Sequence, residues 1–252
     1  MATSVARGVL VTGTDTGVGK SLASVVLLHA LRAHGLRAVG MKPVAAGCEV
    51  TPEGLRNEDA LALQSASDPV PPYGDVNPWA LPEPTAPQLA ARGAGMTVTL
   101  PPILAAHARL AAGADVVVVE GAGGWLSPLA DGLEHAALAR ALDLPVLLVV
   151  GLRLGCLSHA RLSARAIQAD GCALLGWVGS AVDPDFARGP GYLELLRDAL
   201  PVPCLGVLPH VAPPRDPDAL ASTLSRAAAA LADAGGAGLP DGRTGLALPA
   251  RP

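Results

Sequence analysis

The sequence predicts an α/β protein whose mostly parallel central sheet is covered by helices on both faces. Three observations lead to this fold class. Apolar runs of strand length recur along the chain, and stretches with apolar residues at helical spacing lie between them, an alternation that favours a parallel sheet. Two of the runs, "VVVV" and "VLLVV", are apolar on both faces, which is typical of central strands buried between layers of helices.

The pattern predicts six strands and three clear helices. The strands are expected at Val9–Thr12, Arg37–Met41, Asp115–Val119, Pro145–Val150, Leu174–Val178 and Cys204–Leu208. The helices are expected at Ser21–His34, Asn57–Gln64 and Pro101–Ala112. Gly35 and Gly113 follow the first and third helix, and Asn57 is placed to cap the second. The order of the strands within the sheet stays open at this point.

One domain is expected over residues 1–235. Within it, the proline-rich stretch Ser67–Thr85, "SDPVPPYGDVNPWALPEPT", predicts an irregular extended segment that lies over the sheet edge or the mouth of the site. Residues 236–252 are rich in glycine and proline, and they predict a disordered tail.

Composition and charge argue against two classes of partner. A formal net charge of -4 and an aromatic content of 2% provide neither a basic surface nor stacking side chains for nucleic acid. The longest apolar runs are far shorter than the roughly 18 residues that a membrane helix needs. The first residues also lack the apolar core of a signal peptide. We therefore expect a cytoplasmic protein that binds neither nucleic acid nor membrane.

Several residue types are scarce, and the few that remain attract attention. The chain has only two lysines, Lys20 and Lys42, among 18 basic residues, and asparagine occurs only at Asn57 and Asn77. An ammonium is a compact charge that a planar guanidinium does not replace in a tight phosphate cradle, so both lysines are candidates for a functional role. The four cysteines, at positions 48, 156, 172 and 204, are widely separated and predict buried free thiols.

The stretch "VTGTDTGVGKS" predicts a phosphate-binding loop. A predicted strand leads into it and a predicted amphipathic helix follows, which is the context that such a loop requires. Gly13 stands one residue farther from the Gly-Lys-Ser end than the common pattern has it. The backbone N–H groups of residues 16–21 are expected to surround a triphosphate, with Lys20 on its outer phosphates and the Ser21 hydroxyl on magnesium.

Three further signals point to the same end of the sheet. Glu120 ends a buried strand, where a carboxylate faces the phosphate crevice of a parallel sheet and is a magnesium candidate. Lys42 leaves a short strand directly before Pro43, which suits a sheet edge and brings the two lysines to one anion. Glu58 and Asp59 lie in the first turn of a helix, a position that the helix dipole alone also favours.

Taken together, these segments resemble the dethiobiotin synthetase family. "GTDTGVGKS", "KPVAAG", "TPEGLRNEDALAL", "VNPWALPEPTAP", "VEGAGGW" and "GLRLGCLSHA" follow the order and spacing of that family, and the resemblance covers about residues 11–211. It implies a P-loop NTPase fold and a homodimer. It also implies the joining of CO2 to 7,8-diaminopelargonate with closure of a cyclic urea, while ATP becomes ADP and phosphate. The CO2 is first taken up as a carbamate, which then forms a carbamic-phosphoric anhydride.

The resemblance assigns roles to individual residues. Lys20 and Lys42 would be catalytic, with Lys42 stabilising the carbamate and the transferred phosphoryl group. Mg²⁺ would be held by Ser21, Asp59 and Glu120. The nucleotide would be bound by Gly17, Val18, Gly19, Lys20, Ser21, Leu22, Asp59, Glu120, Gly121, Ala122, Gly123, Ser180, Ala181, Pro209, His210 and Val211. The substrate would be bound by Thr16, Lys42, Ala46, Gly155, Cys156, Leu157 and Ser158, the last four from the partner subunit.

Four positions depart from residues found in the family. Gly17 stands where some members have glutamate, Ala46 where they have serine, and Ser158 and Ser180 where they have asparagine. The asparagine at the Ser180 position reads adenine, so we expect relaxed choice of the nucleotide base here, because serine offers a single hydroxyl.

Two other functions share this type of loop. A partition or targeting ATPase usually carries a second lysine within the loop, where this chain has Asp15, and often a basic amphipathic tail. A cobyrinate-type amidating ligase normally carries a glutamine-hydrolysing domain as well, and 252 residues are too few for one. Both remain alternatives to be tested.

Overall fold

The computed structural model describes residues 7–233, which form both strands and helices. The strands are β1 (Arg7–Gly13), β2 (Ala38–Met41), β3 (Val44–Ala45), β4 (Glu49–Thr51), β5 (Gly54–Arg56), β6 (Trp79–Ala80), β7 (Val116–Gly124), β8 (Val146–Gly151), β9 (Leu174–Ser180) and β10 (Cys204–Leu208). The helices are α1 (Lys20–Ala33), α2 (Glu58–Ala66), α3 (Tyr73–Val76), α4 (Pro87–Gly93), α5 (Leu100–Gly113), α6 (His135–Leu142), α7 (Cys156–Ala169), α8 (Gly189–Ala199), α9 (Pro217–Leu220) and α10 (Ser225–Asp233). A 3-10 turn, Ala221–Leu224, joins the last two helices. The predicted tail over residues 236–252 lies outside the described residues.

The main sheet has six strands in the order β10-β9-β8-β1-β7-β2. Each pair of neighbours is parallel. These six strands are the six that the sequence predicts, and the expected α/β fold with a parallel sheet is confirmed. The structure adds the order, which places β1, the strand that leads into the phosphate loop, between β7 and β8.

Helices cover both faces of this sheet. Along β1 the side chains alternate between two apolar clusters, with Leu10 in one and Val9 and Val11 in the other. Because successive side chains of a strand point to opposite faces, the two clusters are the two sides of the sheet. One cluster joins the strands to α1, α2 and α10, and the other joins them to α5, α6 and α7.

Local signals in the sequence place the predicted helices within two residues of their observed ends. Helix α1 begins after Gly19, whose φ of 85° is readily adopted by glycine, and the chain leaves it through Gly35 at φ 78°. At the start of α2, the Asn57 side chain accepts a hydrogen bond from the Ala60 N–H, as expected for an N-cap. The third predicted helix is α5.

The proline-rich segment lies along the edge strand β2, as the sequence predicts. The Asp68 N–H donates to the Ala38 carbonyl at 2.9 Å, and the Lys42 N–H donates to the Val76 carbonyl at 2.7 Å. Between these contacts the segment contains only the four-residue helix α3, and β6 follows as a two-residue strand. The segment therefore covers the open edge of the sheet and leads the chain back towards the end of β2.

Two other expectations concern cysteines and membranes. All four cysteines are free, and three of them are buried, while Cys204 is only partly buried. Within residues 7–233, no helix combines the length and the apolar character needed to cross a membrane.

Glycine at position 40 sets the distance between β2 and α2. A Cβ added at Gly40 would lie 2.8 Å from the Cβ of Leu63, which is on α2, and 3.1 Å from a methyl group of Leu28 on α1. Both contacts are shorter than side chains tolerate without movement. Since Asp59 lies in the first turn of α2, this close packing also fixes the position of one site carboxylate.

We predict that Gly40→Ala destabilises the protein and lowers its activity together. The added methyl group pushes α2 away from β2, which costs about 1 to 3 kcal/mol of unfolding free energy in a packed core. Urea unfolding followed by circular dichroism measures this loss. Gly113→Ala is the matched control, since a Cβ at Gly113 meets nothing within 4 Å. Equal stability of the Gly40→Ala protein and wild type would contradict the prediction.

Candidate functional site

The phosphate loop connects β1 to α1 and is shaped by glycines. Gly17 and Gly19 have φ values of 73° and 85°, in the left-handed region that favours glycine. A Cβ at Gly13 would lie 2.6 Å from a methyl group of Val18, so the base of the loop also has no room for a side chain. With these turns the loop folds over the start of α1, where N–H groups are free to meet an anion.

Lys20 lies inside the loop. It is 7% exposed, and its Nζ donates to the carbonyl oxygen of Asp15 at 2.9 Å. Burial, followed by the positive charge of Lys42, lowers the pKa of Lys20 to about 8. The Asp15 carboxylate in turn accepts a hydrogen bond from the Thr16 N–H and pairs with Arg153. The ammonium thus lies ready to exchange a loop carbonyl for a phosphate oxygen.

Lys42 lies between the two predicted carboxylates. Its Nζ donates to Glu120 Oε1 at 2.5 Å and to Asp59 Oδ2 at 3.0 Å, and it lies 3.4 Å from the Gly121 carbonyl. The Ser21 hydroxyl donates to the same Glu120 oxygen at 2.9 Å. Lys42 is 5% exposed and Glu120 is fully buried, so this is a charged cluster within the protein.

Electrostatics within the cluster favour the charged forms. Burial lowers the pKa of Lys42, but the charges of Glu120 and Asp59 outweigh it and the pKa is raised. Burial raises the pKa of Asp59, but the charge of Lys42, the hydrogen bonds from Ser21 and Lys42 and the charge of Lys20 together outweigh it, so the pKa is lowered. An unpaired charge at this depth would be costly, and each partner here stabilises the other.

The parallel sheet brings these residues together. Lys42 follows the last residue of β2, Glu120 lies on β7 beside it, and the phosphate loop follows β1 on the other side of β7. The carboxyl ends of parallel strands meet at one edge, which is where ligands bind in open α/β sheets. Asp59 reaches the same point from the capped start of α2.

A cleft of about 930 Å³ opens at this edge. Most residues predicted for the site line it: Thr16, Gly17, Gly19, Lys20, Ser21, Leu22, Lys42, Ala46, Asp59, Glu120, Ala122, Gly123, Ser180, Ala181, Pro209, His210 and Val211. Val18 and Gly121 are not among the lining residues. The Val18 side chain is buried against Gly13 and Gly151, and Gly121 lies under the ring of His135.

The four residues expected to bind the substrate carboxylate lie elsewhere. Gly155, Cys156, Leu157 and Ser158 form the start of α7 and do not line the cleft of their own chain. Ser158 is exposed, and Leu154 beside this turn is 78% exposed. Their contact with the substrate from a second subunit stays a prediction.

The structure also adds residues to which the sequence did not point. Ala45, Asn57, Pro84, Thr85, Ala86, Pro87, Ser127, Pro128, Val182 and Arg215 line the cleft. The signal for some of them was present, since "EPTAP" belongs to a recognised segment and Asn57 was read only as a helix cap. Arg215 carries no such signal, because it follows β10 in a turn that no motif marks.

Two side chains accept hydrogen bonds from β7 where its pairing with β1 shifts register. The Ala122 N–H donates to Nε2 of His135 at 3.1 Å, and the Gly124 N–H donates to the Ser127 hydroxyl at 2.9 Å. His135 is fully buried, and a Cβ at Gly121 would lie 2.6 Å from its ring. Burial, with the charges of Lys20 and Lys42, lowers the pKa of His135 to about 4. The ring is therefore neutral at pH 7 and accepts through Nε2.

The opposite end of the cleft is formed where β9 and β10 end. A Cβ at Gly19 would lie 2.5 Å from the Ser180 hydroxyl, so Ser180 packs directly against the phosphate loop. The His210 ring lies 3.1 Å from the Ala181 carbonyl through Nδ1, and Arg215 donates from Nε to the Val211 carbonyl. Backbone carbonyls and one guanidinium therefore surround this end.

Comparisons with known proteins show the family of this chain. A family model described as an AAA domain matches residues 7–217. The ATP-dependent dethiobiotin synthetase BioD of Xylella fastidiosa (strain 9a5c) is 58% identical over 214 residues, 85% of this chain and 95% of that protein. This chain belongs to the dethiobiotin synthetase family.

A further member of the dethiobiotin synthetase family matches similarly. BioD of Xanthomonas euvesicatoria pv. vesicatoria (strain 85-10) is 59% identical over 199 residues, covering 79% of this chain and 89% of that protein. Among solved structures, the cell division protein FtsY of Thermotoga maritima covers 88% of this chain and 70% of its own. Its TM-score is 0.46 and its identity is 20%, a likeness too low to add to the assignment.

Protonation of His135 predicts how stability depends on pH. Its pKa is about 6.5 when unfolded and about 4 when folded, so the unfolded chain binds the proton first as pH falls. The full contribution of the neutral His135 ring to the free energy of unfolding is present above about pH 6.5. Up to about 3 kcal/mol of this free energy is lost as pH falls towards 4.

Urea unfolding at a series of pH values measures this effect. We expect His135→Gln, whose amide oxygen can still accept from the Ala122 N–H, to lose less stability than wild type over this interval. Identical slopes for the two proteins between pH 6.5 and 4 would contradict the assignment to His135.

Proposed function

We propose that this protein is an ATP-dependent dethiobiotin synthetase, a ligase of biotin biosynthesis. It joins CO2 to 7,8-diaminopelargonate and closes a cyclic urea, while ATP becomes ADP and phosphate. One amine takes up CO2 as a carbamate, whose oxygen attacks the γ-phosphate. The second amine then attacks the carbonyl carbon of the mixed anhydride, and phosphate leaves. We expect this reaction in the cytoplasm.

One observation carries this proposal. The only two lysines of the chain, Lys20 and Lys42, both line one cleft at the end of the phosphate loop. The carbamate, the mixed anhydride and the transferred phosphoryl group are anionic, and two buried ammonium groups provide fixed positive charge where that negative charge develops. The high identity to proteins named ATP-dependent dethiobiotin synthetase supports the same reaction.

The two lysines act at different positions. Lys20, which starts α1 inside the loop, lies where the outer phosphates of ATP bind. Lys42 follows β2, on the other side of β7 from the phosphate loop. It stabilises the carbamate and the phosphoryl group as this group is transferred. Its two carboxylate partners hold the ammonium in place, so little of its position has to be organised during the reaction.

Magnesium fits the oxygen atoms beside Lys42. Ser21, Asp59 and Glu120 offer one hydroxyl and two carboxylates, the hard oxygen ligands that Mg²⁺ prefers. Glu120 Oε2 is buried and has no hydrogen-bond partner within the described residues. Within residues 7–233, no group of three or more His, Cys, Asp or Glu side chains that could hold a metal ion is present. The hydroxyl and the two carboxylates would bind Mg²⁺ together with the phosphates of the nucleotide. When bound, Mg²⁺ supplies neutralising charge on the phosphates.

A homodimer would complete each site. The start of α7, Gly155–Ser158, does not line the cleft of its own chain. The N–H groups of Cys156 and Ser158 donate to the Arg153 and Gly155 carbonyls, so those of Gly155 and Leu157 would meet the substrate carboxylate. The adjacent surface carries exposed apolar side chains, with Leu154 at 78% and Leu162 at 62% exposure. In the proposed dimer these side chains are buried against a second copy, and the start of each α7 reaches the partner's cleft.

The base of the nucleotide is held weakly in this proposal. Ser180 packs against Gly19 and offers one short hydroxyl, whereas a bidentate pair with adenine needs a donor and an acceptor together. Relaxed choice between ATP and other nucleoside triphosphates follows, with the triphosphate and not the base providing most of the affinity.

The two alternative functions are not favoured. The loop position where a switch ATPase carries its extra lysine is Asp15, and Asp15 pairs with Arg153.

An assay of phosphate release with bicarbonate distinguishes the synthetase from the switch ATPase and the amidating ligase. We expect release to require 7,8-diaminopelargonate and to be accompanied by dethiobiotin. Phosphate release that is independent of the diamine, or that requires an amide donor, would contradict the proposal.

Lys42→Arg tests the role of the second lysine. A guanidinium is too broad for the space between Asp59 and Glu120, so we expect product formation to fall about 100-fold or more. Single-turnover formation of dethiobiotin measures the effect, with circular dichroism and urea unfolding as controls for folding. Near-normal turnover by a folded Lys42→Arg protein would remove Lys42 from the mechanism.

Mixed dimers test whether the site crosses the subunit interface. Lys20→Ala inactivates the phosphate loop of its own chain, and Ser158→Asp repels the substrate carboxylate from the start of α7. In a heterodimer of the two variants, a shared site leaves one intact cleft, and about half of wild-type activity returns. If each site used only its own chain, the Ser158→Asp homodimer would keep near wild-type activity, because Ser158 does not line the cleft of its own chain. That result would contradict a shared site.

A further inference from the structure

The two asparagines of the chain lie together beside the site, although they are 20 positions apart in sequence. Asn57 and Asn77 are 8% and 4% exposed, and the hydroxyl of Tyr73 lies between them. Asn57 touches the cleft, whereas Tyr73 and Asn77 do not line it. A direct contact with a ligand therefore does not account for Tyr73 and Asn77.

A chain of hydrogen bonds connects these residues to Lys42. The Asn77 side-chain amide donates to the Lys42 carbonyl at 2.7 Å and to the Trp79 carbonyl at 3.2 Å. The Tyr73 hydroxyl donates to Asn77 Oδ1 at 3.2 Å and accepts from the Asn57 N–H at 2.8 Å. One hydroxyl thus joins the backbone of Lys42 to the residue that precedes α2.

The series of hydrogen bonds closes into a ring through the charged cluster. The Asn57 side chain caps α2 by accepting from the Ala60 N–H at 3.2 Å, and Asp59 lies in that first turn. Asp59 in turn accepts from the Lys42 ammonium at 3.0 Å. Lys42 is therefore held twice relative to α2, once through its backbone and once through its side chain.

We propose that Tyr73 and Asn77 are positioning residues that hold Lys42 at a fixed distance from Asp59. This inference depends on the proposed function, because it concerns how Lys42 meets the reacting atoms. Neither residue touches the substrate, and both act through the backbone of Lys42 and the start of α2.

The end of β2 explains why such support is needed. Lys42 is the first residue beyond an edge strand, and the next residue, Pro43, has no N–H to donate. The Lys42 carbonyl is fixed by the Asn77 amide, and a small rotation of this backbone would be carried along four methylene groups to the ammonium. The guanidinium of Arg56 stacks over the Tyr73 ring at 4.2 Å and keeps the ring in place.

The first test compares the two tyrosines of the chain. Tyr73→Phe removes only the bridging hydroxyl, and Tyr192→Phe is the matched control, since Tyr192 packs edge-on against Phe186 and does not line the cleft. For Tyr73→Phe we expect kcat for dethiobiotin formation to fall about tenfold, as for other residues that orient a site. KM for ATP should stay within about twofold, because the phosphate loop is untouched. Tyr192→Phe should match wild type.

The second test removes the other half of the connection. Asn77→Asp keeps an acceptor for the Tyr73 hydroxyl but loses the donor to the Lys42 carbonyl, so we expect a similar fall in kcat. Each change is also made in a Lys42→Ala background, where a residue that acts through Lys42 should alter the remaining rate by less than about twofold. An equal loss in both backgrounds would overturn the proposal.

Folding controls complete the design. Urea unfolding of each variant shows whether the hydroxyl and amide are needed for the fold as such. Should Tyr73→Phe fail to fold, Asn77→Asp decides by the same criteria, and failure of both would overturn the proposal in favour of a purely structural network. A wild-type protein that forms no dethiobiotin would instead refute the proposed function. Unchanged kcat in folded variants of an active enzyme refutes the positioning role alone.

Discussion

The pairing of the Lys42 ammonium with Glu120 and Asp59 is the interaction on which the site depends. A cation buried to this extent is stable only when opposite charges and hydrogen bonds surround it. Its partners come from β7 and from the start of α2, and Ser21 adds the phosphate loop through its bond to Glu120. Four separate segments of the chain are thereby held at one point.

The same pairing explains several features that surround it. Gly40 lets α2 approach β2 closely enough for Asp59 to reach Lys42. His135 fixes the backbone after Glu120 without adding a charge, because its burial beside two lysines keeps the ring neutral. Gly40 and His135 thus contribute close packing and a hydrogen bond. The formal charges here belong to the two lysines and to the carboxylates of Asp59 and Glu120.

The fold and the centre of the site were largely predictable from the sequence, for local reasons. Strands that are apolar on both faces and glycine-flanked helices are visible in short windows, and the scarcity of lysine singled out Lys20 and Lys42. The order of the strands depends on contacts between distant segments and has no local signal. For the same reason Asn57 was recognised as a cap, but not as part of the cleft wall.

Side chains that act through other residues were the hardest to predict. His135 gives no sign in the sequence that its ring will lie against Gly121, because the contact depends on how α6 packs behind β7. The proline-rich segment was predicted to lie over the sheet edge or the mouth of the site. Its role in holding Lys42 depends on three hydrogen bonds that only the tertiary structure reveals. Motifs thus identify residues that meet ligands more readily than residues that support them.

The cover over β2 has a consequence for the protein in crowded solution. An open edge strand exposes unpaired backbone groups that can pair with a strand from another molecule and start aggregation. Here the segment from Asp68 to Val76 takes up hydrogen bonds along β2, and prolines at positions 69, 71 and 72 cannot extend a ladder outward. The stretch that supports Lys42 thereby also protects the sheet from joining a neighbouring molecule.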